Sequence, residues 1–139
     1  MNFYELNEIM QASYTAIVLD IKDRARLLSF FPPPAGWESL AHHMTINMGG
    51  AAKGPAKDLI GTKADLTINS IARNELVIAV GVESNIPSVN QRKHITIAVN
   101  RSAGGKPVMS NHLAEWEPID PLAVTGTVAE VAQDGKILR

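Results

Sequence analysis

The chain has 139 residues and a mass of 15.0 kDa, which predicts one compact domain spanning residues 1–139. A formal net charge of -1 excludes a polycation that binds nucleic acid by neutralising many phosphates. The sequence contains no cysteine, which excludes disulfides, thiol nucleophiles and Cys-ligated zinc and fits a cytoplasmic protein. We predict neither a signal peptide nor a membrane-spanning segment.

The first half of the chain predicts strands with one helix between them. Before Tyr14 we expect a short helix or an irregular arm. Residues 14–20 are β-branched and apolar, as in a buried strand, and residues 21–31 place apolar side chains at helical spacing. Three prolines from Pro32 end that helix. Further strands are predicted at 40–48, 64–72 and 75–83.

The second half predicts more strands and a second helix. A strand is expected at 93–100, and a glycine-containing loop follows it. Pro107 is favourable in the first turn of a helix, so we predict a helix at 107–116. Apolar residues then predict a strand at 122–131, and the turn at Asp134–Gly135 precedes a last short strand.

One short element occurs twice, as His43-Met44-Thr45-Ile46 and as His94-Ile95-Thr96-Ile97. In a strand alternate side chains share a face, so each histidine points the same way as the threonine two residues later. Four histidines and seven threonines would produce only about 0.2 His-x-Thr triplets by chance in this length. Incidental strand residues are the alternative explanation, which the second copy weakens.

Two imidazoles and two hydroxyls suit phosphodiester cleavage if the two polar faces meet. A neutral histidine can take a proton from the attacking group, and a protonated histidine can donate one to the leaving oxygen. Threonine hydroxyls can bind the non-bridging phosphate oxygens. This chemistry requires no metal and no cofactor, and no HExxH motif or compact carboxylate cluster accompanies the histidines.

Two His-x-Thr strands resemble the 2H phosphoesterase superfamily. The stretch from His94 to Trp116 is similar to the cyclic phosphodiesterase domain of fungal tRNA ligases. The small size and the tyrosine in the first strand resemble phage anti-CBASS enzymes, which degrade cyclic-oligonucleotide signals. The resemblance implies an α+β, bilobal fold, in which two antiparallel sheets face a central cleft and the helices lie outside.

The resemblance also implies the roles of site residues. His43 and His94 would be the catalytic acid and base, and Thr45 and Thr96 would bind the phosphate. Further candidates for substrate binding, each with an ordinary structural alternative, are Tyr14, Trp37, Lys106 and Trp116. His42 is expected to point to the face opposite His43, as a structural or rim residue.

The functional hypothesis is a metal-independent phosphodiesterase that cleaves a nucleotide phosphodiester. Its substrate would be a cyclic oligonucleotide or a 2′,3′-cyclic phosphate, the latter at an RNA 3′ end or on a nucleotide. The alternative is a module that binds nucleotides or RNA ends without cleaving them. The sequence does not assign the acid and the base, the product or the oligomeric state, and it predicts no membrane partner.

Overall fold

The computed structural model describes residues 12–139, most of which form antiparallel sheet. The strands are β1 (Ala12–Leu19), β2 (Glu38–Ser39), β3 (His43–Met48), β4 (Lys63–Arg73), β5 (Val77–Glu83), β6 (His94–Val99) and β7 (Glu117–Ala132). Helix α1 is Ile21–Phe30, and three 3₁₀ helices are Ala51–Lys53, Arg101–Ala103 and Pro107–His112. The arm predicted before Tyr14 lies outside the described residues, except for Ala12 and Ser13, which begin β1.

Six strands close into an antiparallel barrel. Around the ring, β6 pairs with β3, β3 with β1, β1 with β7, β7 with β4, and β4 with β5. The pairing of β5 with β6 then returns to the starting strand and closes the ring. The two-residue strand β2 pairs with β6 outside this ring, at Glu38 and Ser39.

The prediction of an α+β, bilobal fold with two sheets facing a cleft is therefore wrong. Strands from both predicted halves belong to one sheet, because β6 forms hydrogen-bonded pairs with β3 on one edge and β5 on the other. Register shifts between Thr15 and Ala16, between Ile68 and Ser70, and between Ile78 and Ala79 bend the strands. Such irregularities increase local twist and allow a sheet to curl until its edges meet.

The predicted second helix is also wrong. Residues 107–116 contain only the 3₁₀ helix Pro107–His112, and extended backbone follows from Leu113. Ser110 and Asn111 are weak helix formers, because their side chains compete for nearby hydrogen-bonding groups. Within residues 12–139, α1 is thus the one α-helix, and it buries Leu27 against the barrel.

The interior of the barrel is filled by branched aliphatic side chains from all six strands. This core explains the period-two patterning of β4, in which alternate residues from Ala64 to Ala72 are buried. Representative fully buried members are Ile17, Ile46, Ile68, Val80, Ile95 and Val128. No helix within residues 12–139 has the length and apolar composition needed to cross a membrane.

β7 is longer than predicted, because it begins five residues before position 122. Pro118 lies in this early part, where β7 pairs with β4 but β1 pairs only from Gly126 onward. A proline lacks an N–H and is tolerated where one edge of a strand is unpaired. At Gly126 a side chain would lie 2.6 Å from the carbonyl oxygen of Val18, so glycine permits the close approach of β1.

Candidate active site

The two His-x-Thr segments lie on neighbouring strands of the barrel. Met44 of β3 and Ile95 of β6 are antiparallel partners, and both are fully buried in the core. In a strand, residues on either side of an inward-facing residue point outward. The outward positions beside this buried pair are occupied by the two histidines and two threonines, His43, Thr45, His94 and Thr96.

On β6, the histidine of the cluster is held by a main-chain acceptor. Nδ1 of His94 lies 2.8 Å from the carbonyl oxygen of Arg92. A carbonyl can only accept a hydrogen bond, so Nδ1 of His94 carries the proton and Nε2 of the neutral ring presents a lone pair. Burial lowers the pKa of His94, and the Arg92 hydrogen bond acts in the opposite direction.

The threonine of β6 is held from outside the barrel. Oγ1 of Thr96 lies 2.8 Å from Oγ of Ser110, which the 3₁₀ helix Pro107–His112 places over the strand. Ser110 is almost completely buried. Sequence analysis gave Ser110 no role, although it falls in the stretch that is similar to the tRNA-ligase domain. The hydroxyl pair fixes Thr96 and connects that stretch to the candidate site.

The entry to β3 is irregular. Ala41 has a φ of 51°, in the left-handed region. Among the non-glycine residues of 12–139, it alone has a positive φ. Its N–H donates to the carbonyl of Thr96, and the next partners are Met44 and Ile95. Ala41 and Met44 therefore face consecutive residues of β6. The two residues between them, His42 and His43, are extra residues on the β3 side of the pairing. This is a two-residue bulge.

The bulge brings the two adjacent imidazoles together. Nδ1 of His42 lies 2.9 Å from Nδ1 of His43, with the rings nearly perpendicular at 83°. The expectation that His42 points away from His43 is wrong, because the alternation of a regular strand does not hold across the bulge. In the sequence, nothing indicates this contact except that the two histidines are consecutive.

Tyr14 of β1 covers His43 from one side. The two rings stack with centroids 4.5 Å apart and planes at 29°, and the tyrosine hydroxyl lies 3.4 Å from Nδ1 of His43. A hydrogen bond to an imidazole nitrogen is best when it lies in the ring plane. The stacked hydroxyl is the longer and less favourably placed partner, so His42 is the principal partner of Nδ1.

Burial and like charges keep His43 neutral. Burial, the nearby His42 and the nearby His94 together lower the pKa of His43 to about 4. Burial and the Arg24 guanidinium lower the pKa of His42, and burial raises the pKa of the Tyr14 phenol.

A polar groove with a volume of about 930 Å³ opens beside His94. Trp116 forms part of its wall, and the Arg92 guanidinium lies 4.8 Å from the centre of the indole ring. The indole N–H donates to the carbonyl of Leu113, which fixes the ring. The remaining polar lining includes Asn69, Ser84, Asn90, Gln91, Lys93 and Asn111. His43, Thr45 and Tyr14 are not among the groove-lining residues.

Two further residues predicted to bind substrate lie elsewhere. Trp37 is partly buried and packs against the hydrophobic core. Lys106 is exposed immediately before the 3₁₀ helix Pro107–His112 and does not line the groove. Among residues 12–139, no group of three or more histidine or acidic side chains is arranged to hold a metal ion.

Comparison with models of protein families gives no match, and comparison with curated proteins gives none either. Among solved structures, the chain is similar to the crystal structure of a fungal RNA kinase, with a TM-score of 0.54 and 15% sequence identity. The match covers 84% of this chain and 41% of that chain, so this protein spans less than half of the kinase's length. At this identity the similarity establishes a shared fold and leaves the activity to the residues of the site.

Proposed function

We propose that this protein is a metal-independent phosphodiesterase, a compact relative of the 2H phosphoesterases, that cleaves a nucleotide phosphodiester with His43 and His94. The observation that supports this most is the pairing of Met44 with Ile95, which sets both His-x-Thr segments side by side on neighbouring strands. Two imidazoles on neighbouring strands can act on the same phosphate, one as base and the other as acid.

In the proposed mechanism His43 is the base and His94 the acid. The low pKa of His43 keeps its ring neutral and able to accept the proton of a nucleophilic water or ribose hydroxyl. The Arg92 carbonyl stabilises a protonated His94, whose Nε2–H can then pass to the leaving oxygen. A bound phosphate raises the pKa of both rings, because its negative charge favours the imidazolium forms.

The two threonines would bind the phosphate itself. Thr96 is oriented by Ser110, and Thr45 occupies the corresponding position on β3. Hydroxyl donors fixed before the reaction stabilise the negative charge that develops on non-bridging oxygens. Tyr14, stacked on His43, would limit access of water to that ring.

The groove beside His94 is suited to the nucleoside part of the substrate. Its amide side chains can hydrogen-bond base edges and ribose, and Trp116 offers a surface on which a base can stack. Arg92 and Lys93 supply positive charge at the same wall. A fungal RNA kinase as structural neighbour is consistent with a nucleotide or RNA substrate. We propose a cyclic oligonucleotide or a 2′,3′-cyclic phosphate as the bond cleaved.

The direct test is incubation with 2′,3′-cyclic mononucleotides, an RNA bearing a 2′,3′-cyclic phosphate, and cyclic dinucleotides, each in excess EDTA. Chromatography of the products identifies the bond cleaved. We expect turnover in EDTA, and a decrease in kcat of about 10²–10⁴-fold in His43→Ala and in His94→Ala.

The matched control is His112→Ala, which removes an exposed histidine from the 3₁₀ helix and should retain wild-type turnover. Loss of turnover in EDTA would contradict metal independence. Tight binding with intact ligand recovered would identify a sequestering module instead, and full activity of either alanine variant would refute the two-histidine mechanism.

A further inference from the structure

The most informative feature outside the two motifs is His42. Its Nδ1 lies 2.9 Å from Nδ1 of His43 and at a large angle between ring planes, which suits an N–H of one ring directed at the lone pair of the other. The contact forms where the left-handed residue Ala41 and the bulge after it interrupt the regular alternation of side chains.

The position of His42 is fixed from two directions. The carbonyl of His42 accepts a hydrogen bond of 2.9 Å from the N–H of Leu19 on β1. Arg24 of α1 donates from Nε to the carbonyl of Leu40, two residues before His42. The imidazole is therefore attached to a segment that is held by the barrel on one side and by the helix on the other.

Either neutral ring could donate in a contact between two Nδ1 atoms, but in the proposed mechanism His43 takes up a proton at Nε2, and its Nδ1–H must then donate to His42. His42 stays neutral near pH 7, because burial and the Arg24 guanidinium disfavour its protonated form and lower its pKa. A neutral imidazole with its proton on Nε2 presents a lone pair at Nδ1. His42 can then accept from Nδ1–H of His43 and orient its ring, as the carboxylate of a catalytic triad does, but without the negative charge by which that carboxylate stabilises the protonated base.

We propose that His42 is a positioning residue for His43, which holds the proton of His43 on Nδ1 so that Nε2 is free to accept a proton from the nucleophile. This role rests on the proposed function. When Nε2 of His43 takes up the proton, the Nδ1–H of the resulting cation continues to donate to His42. His94 has the same arrangement, with the Arg92 carbonyl as acceptor.

The test combines two variants of position 42. His42→Phe keeps a ring of similar size but has no acceptor, and His42→Asn offers Oδ1 near the former Nδ1 position. Imidazole ¹⁵N chemical shifts of His43, measured without substrate at pH 7.5, report which nitrogen carries the proton. We expect the Nδ1–H form in the wild type and in His42→Asn, and the Nε2–H form in His42→Phe.

Kinetics then tests the consequence for turnover. We expect kcat of His42→Phe to fall at least about tenfold with KM within about twofold, and His42→Asn to recover kcat to within about threefold of the wild type. His112→Phe is the control and should change neither quantity. Thermal unfolding of each variant checks that the fold is retained.

The two readouts separate this inference from the proposed function. A wild-type His43 in the Nε2–H form, or an unchanged tautomer in His42→Phe, overturns the positioning role even if the enzyme is active. An active wild type whose kcat is unaffected by His42→Phe also overturns it. Absence of turnover in the wild type refutes the proposed function, and the tautomer measurement still decides whether His42 orients His43.

Discussion

The two His-x-Thr strands have nearly the same sequence and are supported in different ways. β6 pairs with other strands on both edges, and a main-chain carbonyl holds His94 at its start. β3 begins after a left-handed residue and a two-residue bulge, and His43 is held by the side chain of its neighbour. A main-chain acceptor survives most substitutions, whereas a side-chain acceptor can be removed by one.

The surroundings of the two histidines have different effects on the pKa values of the two rings. At His43, burial and two neighbouring imidazoles act in the same direction on the pKa. At His94, the hydrogen bond to Arg92 opposes the effect of burial. Repeated motifs therefore provide two chemically different groups, as the proposed acid–base mechanism requires.

The largest effect that distinguishes the strands is the dependence of stability on pH. His43 has a pKa of about 4 in the folded state and an ordinary value near 6.5 when unfolded, so its contribution to stability is present above about 6.5 and is lost as the pH falls toward 4. Between pH 7.5 and 5 we expect a loss of about 2 kcal/mol in unfolding free energy from His43. Urea unfolding at both pH values measures it.

The variant His43→Asn should remove this loss, and His94→Asn should remove a smaller one, because the Arg92 carbonyl already favours protonated His94. His112→Asn controls for an exposed histidine. An equal pH dependence in His43→Asn and wild type would contradict the different environments assigned to the two rings.

A smaller effect concerns the hydroxyl pair on β6. Thr96→Val leaves the buried hydroxyl of Ser110 without its partner, so we expect unfolding free energy to fall by about 1–2 kcal/mol. In the double variant with Ser110→Ala both polar groups are gone, and most of that loss should be restored. Chemical denaturation of the single and double variants forms a cycle. Additive losses would show that the two hydroxyls are not coupled.

The smallest effect concerns the backbone before β3. In Ala41→Gly, relief of the left-handed conformation offsets the buried methyl group, so the unfolding free energy should stay within about 0.5 kcal/mol of wild type. Ala98→Gly on β6 removes an equally buried methyl from a residue without positive φ, so no strain is relieved and it should cost about 1.5 kcal/mol. Equal losses in thermal unfolding would contradict the strain at Ala41.

The elements with strong local patterns were predictable. The β-branched run at 14–20 and the alternating run at 64–72 match β1 and β4 to within two residues at each end. Helix α1 was expected at 21–31 and ends one residue earlier. Side chains alternate between the two faces of a strand, so the sequence already predicted that the histidine and the threonine of each His-x-Thr segment lie on the same face.

The remaining features depend on contacts distant in sequence. Closure of the barrel needs β5 to pair with β6, and the apolar run of β5 would suit a bilobal fold equally well. The proximity of His42 and His43 depends on one left-handed residue, Ala41, at a position where alanine gives no sign of it. The prolines at 118 and 121 concealed the first part of β7, because the unpaired edge that tolerates Pro118 exists only in the assembled sheet.

The groove beside His94 has a consequence for how such a protein can diversify. Much of its wall comes from the segment between β5 and β6 and from the residues around Trp116, whereas both histidines belong to strands of the barrel. Surface connections accept insertions and substitutions far more readily than paired strands do. Selection could exchange one ligand preference for another by remodelling those connections, while leaving the two histidines of the proposed proton transfer in place.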